Sequence, residues 1–206
     1  MTTPAVGAAK KLMTVDEYWD FVNLPENMDR LFELRRGEVV EMSRPKKPHG
    51  IVAANIARVL GNYSFAVNLG YVLSNDTGVV LEETPGTVVG PDVAYCVDAN
   101  NYDDVEPKWV ESPPVLAVEV LSPTDKPGEV NEKISDYLRA GVKVVWLADP
   151  EVKTVTVYRP NHHHVILKPA DELTGGDELP GFSCKVADFF RLPGDRPPPP
   201  PQPPTP

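Results

Sequence analysis

Apolar positions along this chain recur at two periods. Ile51, Ile56, Val59, Leu60 and Tyr63 recur at helical spacing, which predicts an amphipathic helix running to about residue 69 with Gly70 as its C-cap. Val130, Ile134, Tyr137 and Leu138 form a second stripe, introduced by the turn Ser122-Pro123-Thr124-Asp125 and ended near Ala140-Gly141. A shorter helix opens on the capping box Thr14-Val15-Asp16-Glu17 and carries Tyr18, Trp19, Phe21 and Val22, with Pro25 ending it. Residues 30–35 and 38–42 alternate as strands joined at Arg36-Gly37, a hairpin signal. In the first, Leu31, Glu33 and Arg35 share one face and Phe32 and Leu34 the other. Residues 71–73, 79–82 and 93–97 read as further strands. Residues 115–121 and 142–148 are almost continuously apolar, as buried strands are. Residues 154–159 and 165–168 alternate like an antiparallel hairpin at a sheet edge, and residues 182–190 form a short terminal element.

This order predicts an α/β (α+β) fold, a mixed central sheet flanked by helices with N-terminal and C-terminal hairpins. The helix between the strands at 115–121 and 142–148 fits a right-handed crossover between parallel neighbours. With 206 residues the chain has room for one sizeable core. The expected division is a disordered tail at residues 1–12, a single domain at 13–192 and a disordered proline-rich tail at 193–206. That tail has the composition of a segment that binds a proline-recognising partner or remains solvated.

Charge narrows the class. The net charge of -10 argues against broad adhesion to nucleic acid. Positive residues nonetheless concentrate early, in Lys10, Lys11, Arg35, Arg36, Arg44, Lys46 and Lys47, which leaves room for a local basic groove. The N-terminus lacks the apolar stretch of a signal peptide, so a cytoplasmic location is expected. Cys96 and Cys184 are read as small buried hydrophobes rather than a disulfide. The run His162-His163-His164 cannot point at one ion from adjacent strand positions and receives no role. Trp146 reads as core, and Trp109 in the polar loop 100–112 as packing rather than base stacking.

The chemistry lies between residues 90 and 123. Gly90-Pro91-Asp92-Val93-Ala94-Tyr95 opens one strand, and Pro114-Val115-Leu116-Ala117-Val118-Glu119-Val120-Leu121-Ser122-Pro123 forms another with one carboxylate in its middle. Burying that carboxylate among Val118, Val120 and Leu121 is costly without a cation or donors. Two acids on neighbouring strands are what a hard divalent cation needs, so Asp92 and Glu119 are candidate metal ligands.

These two segments, with Glu132-Lys133-Ile134-Ser135-Asp136-Tyr137, Val144-Val145-Trp146-Leu147-Ala148-Asp149-Pro150 and the upstream Phe32-Glu33-Leu34-Arg35-Arg36-Gly37-Glu38, resemble the Uma-type restriction endonuclease family over residues 13–160. That family is similar to a branch of the PD-(D/E)XK nuclease superfamily. The resemblance implies a restriction-endonuclease-like core and a DNA endonuclease in which Asp92 and Glu119 bind one or two Mg²⁺ ions. The superfamily lysine would stand two residues after the acid, where this chain has Leu121. The resemblance points instead to Lys133 on the following helix. It also points to Glu33 as a third acid, with Glu38 as competitor. His49, at a helix start after the basic loop, is a candidate phosphate contact together with Lys46 and Lys47, and Arg44 belongs to the same loop. A homodimer would follow from double-strand cleavage. Two other classes stay open: a catalytically silent nucleic-acid-binding or protein-interaction module of the same fold, and a hydrolase of another phosphate compound.

Overall fold

The computed structural model describes residues 12–195. The N-terminal tail up to residue 11 and the proline-rich tail from residue 196 lie outside the described residues. In chain order the elements are α1 (Val15–Val22), β1 (Phe32–Arg35), β2 (Glu38–Glu41), α2 (Lys47–Val67), β3 (Tyr71–Ser74), β4 (Val79–Glu83), β5 (Gly86–Val89), β6 (Val93–Cys96), β7 (Leu116–Val120), α3 (Pro127–Ala140), β8 (Val144–Asp149), β9 (Thr154–Tyr158), β10 (Val165–Leu167), β11 (Glu172–Thr174) and β12 (Ser183–Lys185).

The central sheet has six strands in the order β10-β9-β8-β7-β6-β3. It is mixed: β7 and β8 run parallel, and the remaining pairs are antiparallel. The parallel pair needs a crossover, which α3 supplies. Strand alternation then divides the core. Leu116, Val118 and Val120 turn to one face and pack with Val52, Ile56 and Leu60 of α2 and with Trp146. Ala117 and Val145 turn to the other and pack with Ile134 and Tyr137 of α3. Each fully buried large apolar side chain contributes on the order of 1.5–3 kcal/mol. The six-stranded sheet is thus flanked by helices on both faces, as the pattern of the sequence predicts.

The N-terminal hairpin belongs to a second sheet, β2-β1-β5-β4, which the sequence pattern does not predict. Its missing piece is β5, whose strand signal is interrupted by Pro85 and Gly86. All four residues of β5 are buried. Gly86 is required there, since a Cβ would lie 2.7 Å from Leu34 Cδ2 and 2.9 Å from the Met13 carbonyl oxygen. Phe32 and Leu34 face α1 across a small core with Tyr18 and Val88, while Glu33 and Arg35 face the opposite way.

Several boundaries differ from the sequence expectation. Helix α2 begins at Lys47, so Lys47 sits in its first turn rather than in the basic loop and joins His49, expected at the helix start, with Lys46 as N-cap and Pro48 tolerated where no donor is needed. Its C-cap is Asn68 rather than Gly70; Asn adopts the left-handed conformation (φ 52°) and its N–H closes on the Ser64 carbonyl. Helix α3 starts at Pro127, beyond the turn in which Asp125 Oδ2 accepts from the Ser122 N–H at 2.8 Å. It stops, as expected, at Gly141 in the left-handed region (φ 103°). Trp109 packs, with its ring 5.1 Å from that of Tyr18 and 4.9 Å from that of Trp19. Both cysteines are free.

Candidate active site

The C-terminal end of β7 carries Glu119 on the α3 side of the sheet. Helix α3 presents Lys133 and, one turn later, Tyr137 to the same place. Lys133 Nζ lies 2.9 Å from Glu119 Oε1 and donates to Glu119 Oε2 at 3.0 Å. The Tyr137 hydroxyl donates to Glu119 Oε1 at 2.7 Å. Lys133 also reaches Glu33 Oε1 at 2.9 Å, which ties β1 of the second sheet to the central one, and donates to the Gly90 carbonyl at 3.2 Å. The Gly90 N–H in turn donates to Glu33 Oε1 at 3.2 Å. On the other side of Glu33, Arg35 contributes Nε at 2.8 Å and a second guanidinium nitrogen at 2.7 Å, both to Oε2. A single ammonium therefore bridges two carboxylates from different sheets, and a guanidinium takes the outer edge of one of them.

Asp92 stands just before β6. Its Oδ2 accepts the Val120 N–H at 2.7 Å, so the backbone of β7 fixes its orientation. Its Oδ1 is 3.1 Å from His49 Nε2 in the first turn of α2, and His49 Nδ1 is buried with no partner among the described residues. Asp76, in a left-handed turn (φ 55°), lines the same cleft. The cleft has a volume of about 170 Å³ and takes in Glu33, His49, Asp76, Asp92, Glu119 and Lys133.

The electrostatics follow from this crowding. Burial pushes Glu119 up to about 7, with the charges of Asp92 and Glu33 adding and Lys133 opposing. Burial would also raise Glu33, but Lys133 and Arg35 outweigh it and hold its carboxyl below the usual range. Asp76 is raised, first by burial and then by the like charge of Asp92. Burial alone would lower His49, yet its contact with Asp92 raises it overall. Lys133 stays charged, because its two carboxylate partners outweigh the cost of burial. Glu33, Asp76, Asp92 and Glu119 thus crowd together against Lys133, Arg35 and His49, and Asp125, Glu129 and Lys126 complete the charged lining of the cleft.

Among the described residues no group of three or more His, Cys, Asp or Glu side chains is arranged to hold a metal ion. The free donors are of hard-oxygen type, and both Glu119 oxygens are engaged by Lys133 and Tyr137. The sequence candidates Asp92, Glu119, Lys133, Glu33 and His49 meet in the cleft. Glu38 does not line it: it lies at the exposed start of β2. Lys46, Lys47 and Arg44 are exposed; Lys46 borders a neighbouring cavity, and Arg44 makes one long hydrogen bond, 3.5 Å to the Asp29 carbonyl. Three residues escaped the sequence reading. Arg35 was legible as the same-face neighbour of Glu33 and Tyr137 as the residue one turn beyond Lys133. Asp76 carried no signal beyond its turn-forming type.

The chain matches the family described as "Uma2: Putative restriction endonuclease" over residues 18–187. It belongs to that family. The match takes in every cleft residue named above. Among solved structures, a "putative nuclease belonging to DUF820" from Anabaena variabilis ATCC 29413 superposes with a TM-score of 0.71 at 20% sequence identity, covering 86% of this chain and 97% of that one. At that identity the likeness establishes the fold, a restriction-endonuclease-like core, for this Uma2 member. No curated protein matches. No helix among the described residues is long and apolar enough to cross a membrane.

Proposed function

We propose that this chain is an endonuclease that hydrolyses phosphodiester bonds of DNA, with Mg²⁺ held by Asp92 and Glu119. The observation that carries the reading is the cleft itself: acids from β1, from β7 and from the residue just before β6 meet an ammonium from α3 beside the N-terminus of α2. An excess of carboxylate over cation in a small cleft is relieved by a divalent ion. Mg²⁺ takes only one or two protein carboxylates and keeps waters and substrate phosphate for the rest, so two acids without a third ligand suit it. Bound there, Mg²⁺ supplies neutralisation of the scissile phosphate and activation of water.

The side chains do the positioning. The Val120 N–H and His49 hold Asp92 by both oxygens, so that it meets a ligand without reorganising. Lys133 spends its three donors on Glu33, Glu119 and the Gly90 carbonyl, so it positions both carboxylates and offers the phosphate its charge rather than a hydrogen bond. His49 Nδ1, buried and unpartnered, donates to a phosphate oxygen when the ring is protonated. Water oxygen forms the new P–O bond and gives up a proton to solvent, the bond to the leaving strand breaks, and that strand's oxygen takes up a proton from solvent. Lys46 and Lys47 lead the backbone towards the cleft.

A second reading, a silent DNA-binding member of the fold, draws on one observation: both Glu119 oxygens are already engaged by Lys133 and Tyr137. Plasmid and oligonucleotide cleavage in MgCl₂ separates the two. The nuclease reading expects cleavage abolished by EDTA and lowered at least a hundredfold by Asp92→Ala or Glu119→Ala. Cleavage that survives both substitutions refutes it, and DNA retention without cleavage by the wild type favours the silent reading.

A further inference from the structure

Beside the acidic cleft lies a second, larger cavity of about 640 Å³. The two share His49, Leu121, Ser122, Asp125, Val130 and Leu147 as walls, so they form one continuous depression with two chemistries. The change of chemistry is built into three elements. Leu121 follows Glu119 by two positions, on the same side of the extended chain at a distance of roughly 6.6 Å. Val130 precedes Lys133 by three positions on the same face of α3, about 4.5 Å along its axis. Leu147 is the register partner of Glu119 on β8. Each element therefore carries a site residue or its direct neighbour in the cleft and an apolar side chain at the boundary where the cleft opens into the larger cavity.

The rim of this cavity carries Asp125, Asp149 and Glu151 against the single ammonium of Lys46. That balance repels a phosphate. What enters is an uncharged, largely apolar group whose attached phosphate lies in the cleft next door, where Arg35, Lys126 and Lys133 stand and where the Mg²⁺ of the nuclease reading would offset the carboxylates. A nucleobase meets both conditions, and the cavity is of the size and apolar character of a small-ligand pocket. The exposed Asn131 on the cavity wall carries both a donor and an acceptor, with which it can meet a base edge.

We propose that this cavity receives one unstacked base of the substrate strand, next to the scissile phosphate. The proposal rests on the nuclease reading for its substrate and names the class: DNA with an unpaired nucleotide at the cut, as in a single strand or an extruded base. A base within a paired, stacked duplex reaches such a pocket only at the cost of unpairing.

The test uses the whole chain in EDTA, so that it does not depend on turnover. Isotope-labelled methyl groups of Leu121, Val130 and Leu147 are followed by NMR during titration with deoxyadenosine 5′-monophosphate, deoxyadenosine and deoxyribose 5-phosphate. The first two are expected to shift these methyls saturably and strongly, and deoxyribose 5-phosphate, which meets the same walls only from the cleft, to shift them much less. Val130→Phe, which fills the cavity, is expected to remove the shifts at Leu121 and Leu147; should that variant not fold, the comparison of the three probes on the wild type still decides. In Mg²⁺, an oligonucleotide with an unpaired nucleotide is expected to be cut at least tenfold faster than the fully paired duplex. Methyls that respond equally to deoxyribose 5-phosphate, or to none of the probes, overturn the base pocket. If the methyls respond to the nucleoside and no DNA is cut, the pocket stands and the nuclease reading falls. If duplex is cut and the methyls stay silent, the reverse holds.

Discussion

Replacing Lys133 by Met removes the one charge that lies between Glu33 and Glu119 while keeping most of the side chain's volume. The ammonium makes contacts of 2.9 Å to each carboxylate, and the side chains involved are 12%, 5% and 15% exposed for Lys133, Glu33 and Glu119. Removing one partner of a buried pair typically costs about 3–5 kcal/mol, because it strands the opposite charge. Here Arg35 still pairs with Glu33, and Tyr137 still donates to Glu119. The expected loss at pH 8 is therefore at the low end, about 3 kcal/mol. The loss has a predictable sign with pH. Glu119 titrates at about 7 in the folded protein, above its ordinary 4.5. A carboxyl raised in this way favours the fold in acid, and the advantage is lost as pH rises through 7. Without Lys133 the folded value moves higher still, so Lys133→Met keeps Glu119 protonated at pH 8 where the wild type does not. The deficit should then shrink by about 1.4 kcal/mol between pH 8 and pH 5.5, one pKa unit's worth. Urea unfolding of the metal-free protein at the two pH values measures this, and Glu119→Gln in the Lys133→Met background should recover much of the loss. A cost below about 1 kcal/mol at pH 8, or one that does not change with pH, refutes the reasoning.

Other consequences are equally specific. Gly90→Ala places a methyl 2.6 Å from the Asp76 carbonyl oxygen and 2.8 Å from its carbon; an overpacked backbone of this kind costs about 1–3 kcal/mol, and a wild-type melting curve for the variant would contradict it. Trp109→Ala removes the ring that packs on Tyr18 and Trp19 and should cost about 3 kcal/mol, the low end for a tryptophan because the ring is only partly buried. Denaturant titration followed by circular dichroism checks it. Burial, with help from Asp98, pushes the Cys96 thiol up to about 12 from 9.0. Native protein should resist alkylation at Cys96 at pH 8 while urea-unfolded protein reacts, and this thiol should subtract stability as pH rises from about 9 towards 12.

The central sheet was legible because its signals are local. The unbroken apolar run around Val118 and the stripe of Val130, Ile134 and Tyr137 each report burial directly, and the helix between them implies a parallel pair. The second sheet was not, because β5 is short, opens on Gly86 after Pro85, and owes its strand state to pairing with β1 and β4. At the cleft, Glu119 was conspicuous as a charge within an apolar strand. Lys133 and Glu33 were conspicuous only through family resemblance, since a helix lysine and a hairpin glutamate are ordinary surface residues. Their meeting depends on how two sheets dock, which no local pattern encodes. Tyr137 was read correctly as buried and incompletely as apolar: its ring packs in the core and its hydroxyl holds Glu119. Asp76 reaches the cleft through a left-handed turn against Gly90, a tertiary contact with no periodicity to announce it.

The nuclease reading requires Asp92 and Glu119 to hold a divalent cation together. Isothermal calorimetry of Mg²⁺ binding measures it, with wild type, Asp92→Ala and Glu119→Ala, each alone and with a DNA duplex of non-cleavable backbone. The wild type is expected to bind, more strongly when DNA phosphate completes the coordination, and both variants are expected to lose binding. Wild-type binding that survives both substitutions, or no binding with and without DNA, would contradict it.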